Sequence, residues 1–284
     1  MDKFLNPLSV KTDGATEIHS SAEVDSRAEI ESGVIIGPGA VVGPDVHIGA
    51  NSRIGPHVVL DGRLTIGSNN RIFAGACLGL EPQDLKYRGA PTEVVIGDEN
   101  TIREYVTINR ATDEGEQTKI GDRNLLMAYC HLGHNCELGN GIVMSNSIQV
   151  AGHVVIEDRA VIGGCLGIHQ FVHIGGLAMV GGMTRVDRDV PPYCLVEGHP
   201  GRLRGLNRVG LRRSGLDHIE DGGELRQLQE VWTLLFKSDH VMSEALTHAR
   251  KQHLMPASSH LCDFVEASIQ NGRRGPMPAS TSTR

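Results

Sequence analysis

Residues 36–67 read IGPGAVVGPDVHIGANSRIGPHVVLDGRLTIG. An aliphatic residue returns at every sixth position, at Ile36, Val42, Ile48, Ile54, Leu60 and Ile66, and glycine follows five of these six. The frame runs back through Ile30, Val24 and Ile18 and forward through Ile72 and Leu78. It resumes in step at Ile96, Ile102 and Ile108, and again from Ile120 to Val186. Asp84, Ala90 and Glu114 break it and mark insertions whose lengths keep the count. A period of six fits neither the 3.6 of a helix face nor the 2 of a half-buried strand. It fits a coil of short flat strands with one corner per hexad, each aliphatic side chain pointing to the axis. Four residues further on, Ala22, Ala28, Val34, Ala40, Val46, Val58 and Ala76 supply a second inward position. The Gly, Asn or Asp just after the aliphatic residue suits a corner with positive φ.

Composition agrees with a mainly β chain. Thirty-five glycines and 4% aromatic residues in 284 suit stacked small-residue coils better than a conventional globular core. A net charge of −7 argues against a nucleic-acid partner. No apolar run approaches a membrane span, and the first residues lack a signal-peptide core. Six cysteines, with no CxxC, read as free thiols of a reducing cytoplasm.

The expected organisation is a β-helix over 1–200, with projecting loops at about 79–93 and 109–118, and a helical domain over 201–272. Residues 1–16 form a lead-in, and VPPYC at 190–194 stops the coils because proline cannot donate to a ladder. Leu225, Leu228, Val231 and Leu235 then share one helical face within 224–237. Amphipathic segments follow at about 241–253 and 259–270, separated by Pro256, with Asn271-Gly272 as a C-cap. Residues 273–284 are expected to be a disordered tail. Arg202, Arg204, Arg208, Arg212 and Arg213, with no acid among them, make a local basic patch on an acidic chain.

If one coil is 18 residues, positions 18 apart lie one strand spacing apart, about 4.8 Å. His131, His134, His153 and His169 then fall on one edge of three successive coils, with Gly152 over His134 and Gln170 over Gly152. The histidines at 19, 47, 57 and 173 do not join them. Imidazoles beside a glycine amide offer a candidate general base and an oxyanion donor.

The hexads resemble those of the hexapeptide-repeat acyltransferases, which implies a left-handed parallel β-helix with 18 residues per coil. QDLKY (83–87), HLGHNC (131–136), VAGH (150–153), GIHQF (167–171) and DVPPY (189–193), in that order and followed by a helical tail, are similar to the UDP-N-acetylglucosamine O-acyltransferases. The resemblance covers about 17–270. It implies transfer of an (R)-3-hydroxyacyl chain from acyl carrier protein to the sugar 3-OH, the first step of lipid A synthesis, in the cytoplasm, by a homotrimer, without cofactor or metal. By the same resemblance His134 is the general base and Gly152 the oxyanion donor. His131, His153, His169 and Gln170 bind sugar, diphosphate or the acyl hydroxyl. Asp84 and Lys86 contact the sugar and the acyl-side ligand. Asn207 and Arg213 contact the uridine diphosphate, and Gly182 is the acyl-length ruler, glycine leaving room for around fourteen carbons. Two positions depart from the family pattern: Asn135 stands where an aspartate is common, and Ser214 where a second arginine follows Arg213.

Two other readings compete. The sibling N-acyltransferase carries an extra N-terminal uridine-binding domain, for which repeats beginning by Ile18 leave no room. A zinc lyase resembling the γ-class carbonic anhydrases would use His131, His134 and His153 as ligands.

Overall fold

The computed structural model describes residues 14–280, so most of the expected lead-in lies outside the described residues. From Glu17 onward the chain winds into a three-sided, left-handed parallel β-helix. Among the described residues the first face has eleven strands and carries Ile36 and Ile54; the second and third have eight each and carry Val42 and Ile48, respectively. From Ile36 to Val186 the aliphatic residues of the frame are at most 4% exposed, whereas Ile18 at the open end is 48% exposed. Burial of one such side chain contributes roughly 1.5–3 kcal/mol, so the stacked files are the core of the prism.

Register follows the count. Ile36 pairs with Ile54, eighteen residues on. Ile66 pairs with Ile96 and Ile96 with Ile120, so the two insertions lengthen single coils by whole hexads. Each loop is a little shorter than expected, because strands Cys77–Leu80 and Glu93–Ile96 flank the first, and Thr107–Asn109 and Gln117–Ile120 the second.

The corners differ from expectation in one respect. Positive φ falls three residues after the aliphatic position, at Asn51, His57, Tyr129, Asn135, His153 and Phe171 among others, not one residue after it. The corner amide is compensated by the coil before: Asn51 N–H donates to Ser32 O and His153 N–H to His134 O. The glycines just after the aliphatic residues serve close stacking instead. A Cβ on Gly49 would come within 2.5 Å of the Gly67 carbonyl carbon.

At the second inward position the aliphatic file gives way to Ser52, Asn70, Asn100 and Asn124, all fully buried. Each asparagine Oδ1 accepts the next coil's backbone N–H, as Asn70 does from Asn100 and Asn100 from Asn124, both at 2.9 Å. Their amides donate to corner carbonyls, Asn100 to Gly121 O at 2.9 Å. This ladder satisfies the backbone at the corner between the third and first faces.

The strands outlast the prolines. Cys194–Glu197 pairs in parallel with Met179–Val180 and then turns back antiparallel to Arg202–Leu206, so residue 200 lies within a hairpin. Four helices follow: α1 (Arg208–Ser214), α2 (Gly223–Lys237), α3 (Met242–Ala249) and α4 (Pro256–Ser268). Helix α2 buries Leu228, Val231 and Leu235 as its period demands. Pro256 opens α4 at its first turn, where its missing N–H costs nothing. Helix α1 falls within the Arg-rich stretch, inside the helical domain expected over 201–272.

The tail is a correction. Residues 273–280 pack on the prism: Asp189 bridges to Pro276 and Leu203 to Ala279, and Met277 is 1% exposed. Arg273 forks onto the buried Asp189 carboxylate at 2.7 and 2.8 Å. Its composition reads as disorder because the partners lie some eighty residues away in sequence. Residues 281–284 lie outside the described residues. All six cysteines are free, and no helix among the described residues is long and apolar enough to cross a membrane.

Candidate active site

The corner between the second and third faces collects most of the expected residues. The first insertion leaves the second face after Leu80 and re-enters the third at Glu93. The second insertion leaves after Asn109 and re-enters at Gln117, at the same corner one coil on. His134 and Asn135, then Gly152 and His153, then His169, Gln170 and Phe171 occupy that corner on the next three coils.

His134 is 8% exposed. Its ring meets that of His153 edge-on at 5.1 Å between centroids, and His153 stacks on Phe171 at 4.8 Å. A Cβ on Gly152 would lie 2.4 Å from both Cε1 and Nε2 of His134, so only glycine admits the imidazole there. His134 Nδ1 lies 2.9 Å from Asn135 Oδ1. Because an amide oxygen only accepts, Nδ1 carries the proton and Nε2 keeps a free lone pair. Asp84 Oδ2 is 3.8 Å from that Nε2.

The surroundings favour the ionised form of Asp84 and the neutral forms of His131 and His153. The Lys86 backbone N–H, with help from His134 and Thr112, holds the Asp84 carboxyl below the usual carboxylate range. Burial, and then the nearby His134, push the His131 and His153 imidazoles below the ordinary histidine value. His131 Nδ1 is bonded to Thr107 Oγ1 at 2.7 Å. Lys86 is exposed on the same loop as Asp84. His169 donates from Nδ1 to Gln170 O at 2.9 Å and accepts from Arg274 at Nε2 at 3.2 Å.

Three of the expected residues lie elsewhere on the protomer. Asn207 caps α1, accepting from Gly210 N–H, and donates to Leu177 O at the corner between the third and first faces. Arg213 is in the last turn of α1 beyond it. Gly182 lies at the corner between the first and second faces, next to Met183, which is 76% exposed. Within the basic patch, Arg202 and Arg204 belong to a strand, and Arg204 pairs with Glu197 at 3.3 Å.

Pattern reading missed Thr112, Glu116 and Arg274. Glu116 Oε2 accepts from Asn135 Nδ2 at 2.6 Å, and Thr112 Oγ1 donates to Asp84 Oδ2 at 3.4 Å. The signal that could have found the first two was the insertion arithmetic: both loops follow Leu78 and Ile108, which share a face with Leu132 just before His134. Among the described residues, no group of three His, Cys, Asp or Glu side chains converges to hold a metal ion.

Comparison with known proteins agrees with this geometry. A family model described as UDP-N-acetylglucosamine O-acyltransferase, domain 2, matches residues 189–277, and one for bacterial transferase hexapeptides (six repeats) matches 27–62. Acyl-[acyl-carrier-protein]–UDP-N-acetylglucosamine O-acyltransferases of Gloeothece citriformis and of a Synechocystis species are each 50% identical over 222 residues, 78% of this chain and 79% of theirs. The solved Acinetobacter baumannii LpxA superposes with a TM-score of 0.86 at 39% identity, covering 92% of this chain and 99% of its own. The Arabidopsis UDP-N-acetylglucosamine acyltransferase gives 0.74 at 35% identity, with 92% and 99% covered. The chain belongs to the acyl-[acyl-carrier-protein]–UDP-N-acetylglucosamine O-acyltransferase family.

Proposed function

We propose that this chain moves an (R)-3-hydroxyacyl group from acyl carrier protein to the 3-OH of UDP-N-acetylglucosamine, the first step of lipid A synthesis, with His134 as general base. The observation that carries the residue assignment is the His134 ring, bonded at Nδ1 to Asn135 with Nε2 left free beside Asp84 and Gly152. Nε2 takes the proton of the sugar 3-OH as that oxygen attacks the thioester carbon. The tetrahedral oxyanion is met by the Gly152 N–H. On collapse the carrier thiolate leaves and takes the proton back from the imidazolium, so no covalent enzyme intermediate forms. No cofactor enters, because the donor group arrives on the carrier protein.

The reading extends to a homotrimer. Asp84, His131, His153, His169 and Gln170 share the His134 corner, whereas Asn207 and Arg213 belong to another corner. A site holding the sugar and the uridine diphosphate together therefore needs two subunits. Leu85, 95% exposed at the tip of the first insertion, is apolar surface that a neighbouring subunit would cover. Free cysteines fit a cytoplasmic location.

A coupled assay with UDP-N-acetylglucosamine and 3-hydroxyacyl carrier protein tests the mechanism. His134→Ala is expected to lose about 10²–10⁴-fold in kcat with the trimer retained. Equal rates would remove His134 from the mechanism.

A further inference from the structure

We propose that Glu116 is a positioning residue for the base: acting through Asn135, it sets the proton of His134 on Nδ1 and so keeps Nε2 free. The inference rests on His134 being the general base. The two ends of an asparagine amide differ in chemistry but hardly in shape. With Oδ1 towards His134, Asn135 accepts the Nδ1 proton. Turned over, its NH2 would donate to Nδ1, drive the proton to Nε2 and leave the ring unable to take one from the sugar. An aspartate has no wrong way round; an asparagine needs neighbours to choose for it.

Two neighbours do so. Glu116 Oε2 accepts from Asn135 Nδ2 at 2.6 Å, and the Thr112 backbone N–H donates to Asn135 Oδ1 at 3.2 Å. An ionised carboxylate cannot donate, and a backbone N–H cannot accept. A flipped amide would set oxygen against oxygen at Glu116 and N–H against N–H at Thr112. Glu116 is itself steadied by the Asp113 N–H at 3.3 Å, and the Asn135 backbone by its own N–H donating to Thr118 Oγ1 at 2.9 Å. The second insertion thus supplies, one residue further from the ring, the anion that an aspartate at 135 would have placed directly against it.

Four variants test this in the coupled assay, with melting temperature as the check on folding. Glu116→Ala is expected to lower kcat about tenfold, less than loss of the base itself, with KM for the sugar nucleotide within about twofold. Glu116→Gln, which keeps length and packing but can also donate, falls between it and the wild type. Asn135→Asp alone sets two carboxylates against each other and is impaired; combined with Glu116→Ala it returns to within about twofold of wild type. Removing Glu116 therefore harms the asparagine enzyme and helps the aspartate one, a reversal that a merely structural role would not produce. Unchanged kcat in Glu116→Ala, or a double variant no faster than Glu116→Ala, overturns the proposal. Wild-type turnover in His134→Ala would instead overturn the base assignment on which it rests.

Discussion

The Oδ2 of Asp84 lies 3.8 Å from the Nε2 of His134, although the two belong to different coils. The carboxylate is ionised and held by the Lys86 and Thr112 donors, so it presents only acceptors beside the nitrogen proposed to receive the substrate proton. Such a group can grip a sugar hydroxyl and aim its neighbour at the base. We expect Asp84→Ala to lower kcat/KM about ten- to a hundredfold, much of it in KM for the sugar nucleotide, with an unchanged melting temperature. An unchanged KM would leave Asp84 as a fastener of the loop.

Much of this was legible because the hexad count is rigid. Once the coil length is eighteen, the positions of His131, His134, His153 and His169 follow by subtraction, and the structure gathers them on one corner. The corner geometry was misread by two residues, since glycine serves two different needs: left-handed φ at Gly33 and Gly39, and close coil stacking at Gly49. The roles of Glu116 and Arg274 were not legible, because both lie in polar stretches without period and act across long sequence separations.

Gly152 gives a sharper test of the corner. It does not adopt positive φ, so an alanine there meets no backbone strain. Its Cβ would nevertheless sit 2.4 Å from Cε1 and Nε2 of His134. Gly152→Ala should therefore fold, with the ring displaced, and kcat should fall about a hundredfold, as misplacement of about 1 Å typically does. Near-normal turnover would show that the imidazole has another position from which to work.

The buried asparagine ladder should matter to stability and not to chemistry. Asn100 is fully buried, accepts the Asn124 N–H and donates to Gly121 O. Replacing it with alanine leaves a buried donor and a buried acceptor unpaired, each costing about 1–3 kcal/mol. Asn100→Ala should lower the melting temperature by several degrees while kcat/KM measured well below it stays the same. A variant as stable as wild type would mean that water fills the gap.

Gly182 sets up a test of chain length. A Cβ there would meet Gly164 O at 3.4 Å, an ordinary contact, so the first carbon of a side chain is accepted without disturbing the coil. With glycine the wild type should prefer a donor of around fourteen carbons to one of about ten, and Gly182→Met should reverse the preference, since each buried methylene contributes about 0.8 kcal/mol. A ten-carbon preference in the wild type would rule out Gly182 as the ruler.

A second titrating cluster lies between the prism and α4. The Glu157 carboxylate meets His173 Nε2 at 2.8 Å and His260 Nε2 at 2.9 Å, and the Tyr193 hydroxyl lies 2.9 Å from His260 Nδ1. Burial pushes the Glu157 carboxyl up, but the two histidines and the Gly176 N–H outweigh it and hold it at about 2, below the ordinary 4.5. Glu157 in turn raises His260 above its ordinary 6.5, with Asp263 adding to the effect. A raised histidine contributes stability in full below 6.5 and loses it as pH climbs through the folded value; a depressed carboxylate contributes above 4.5 and loses it on acidification towards 2. The contact between α4 and the prism is thus strongest between those two limits. His260→Gln should lower the melting temperature more at about pH 5.5 than at about pH 8.5. A gap that is the same at both, or wider in alkali, would mean that the imidazole is held neutral and serves only as a neutral hydrogen-bond bridge between Tyr193 and Glu157.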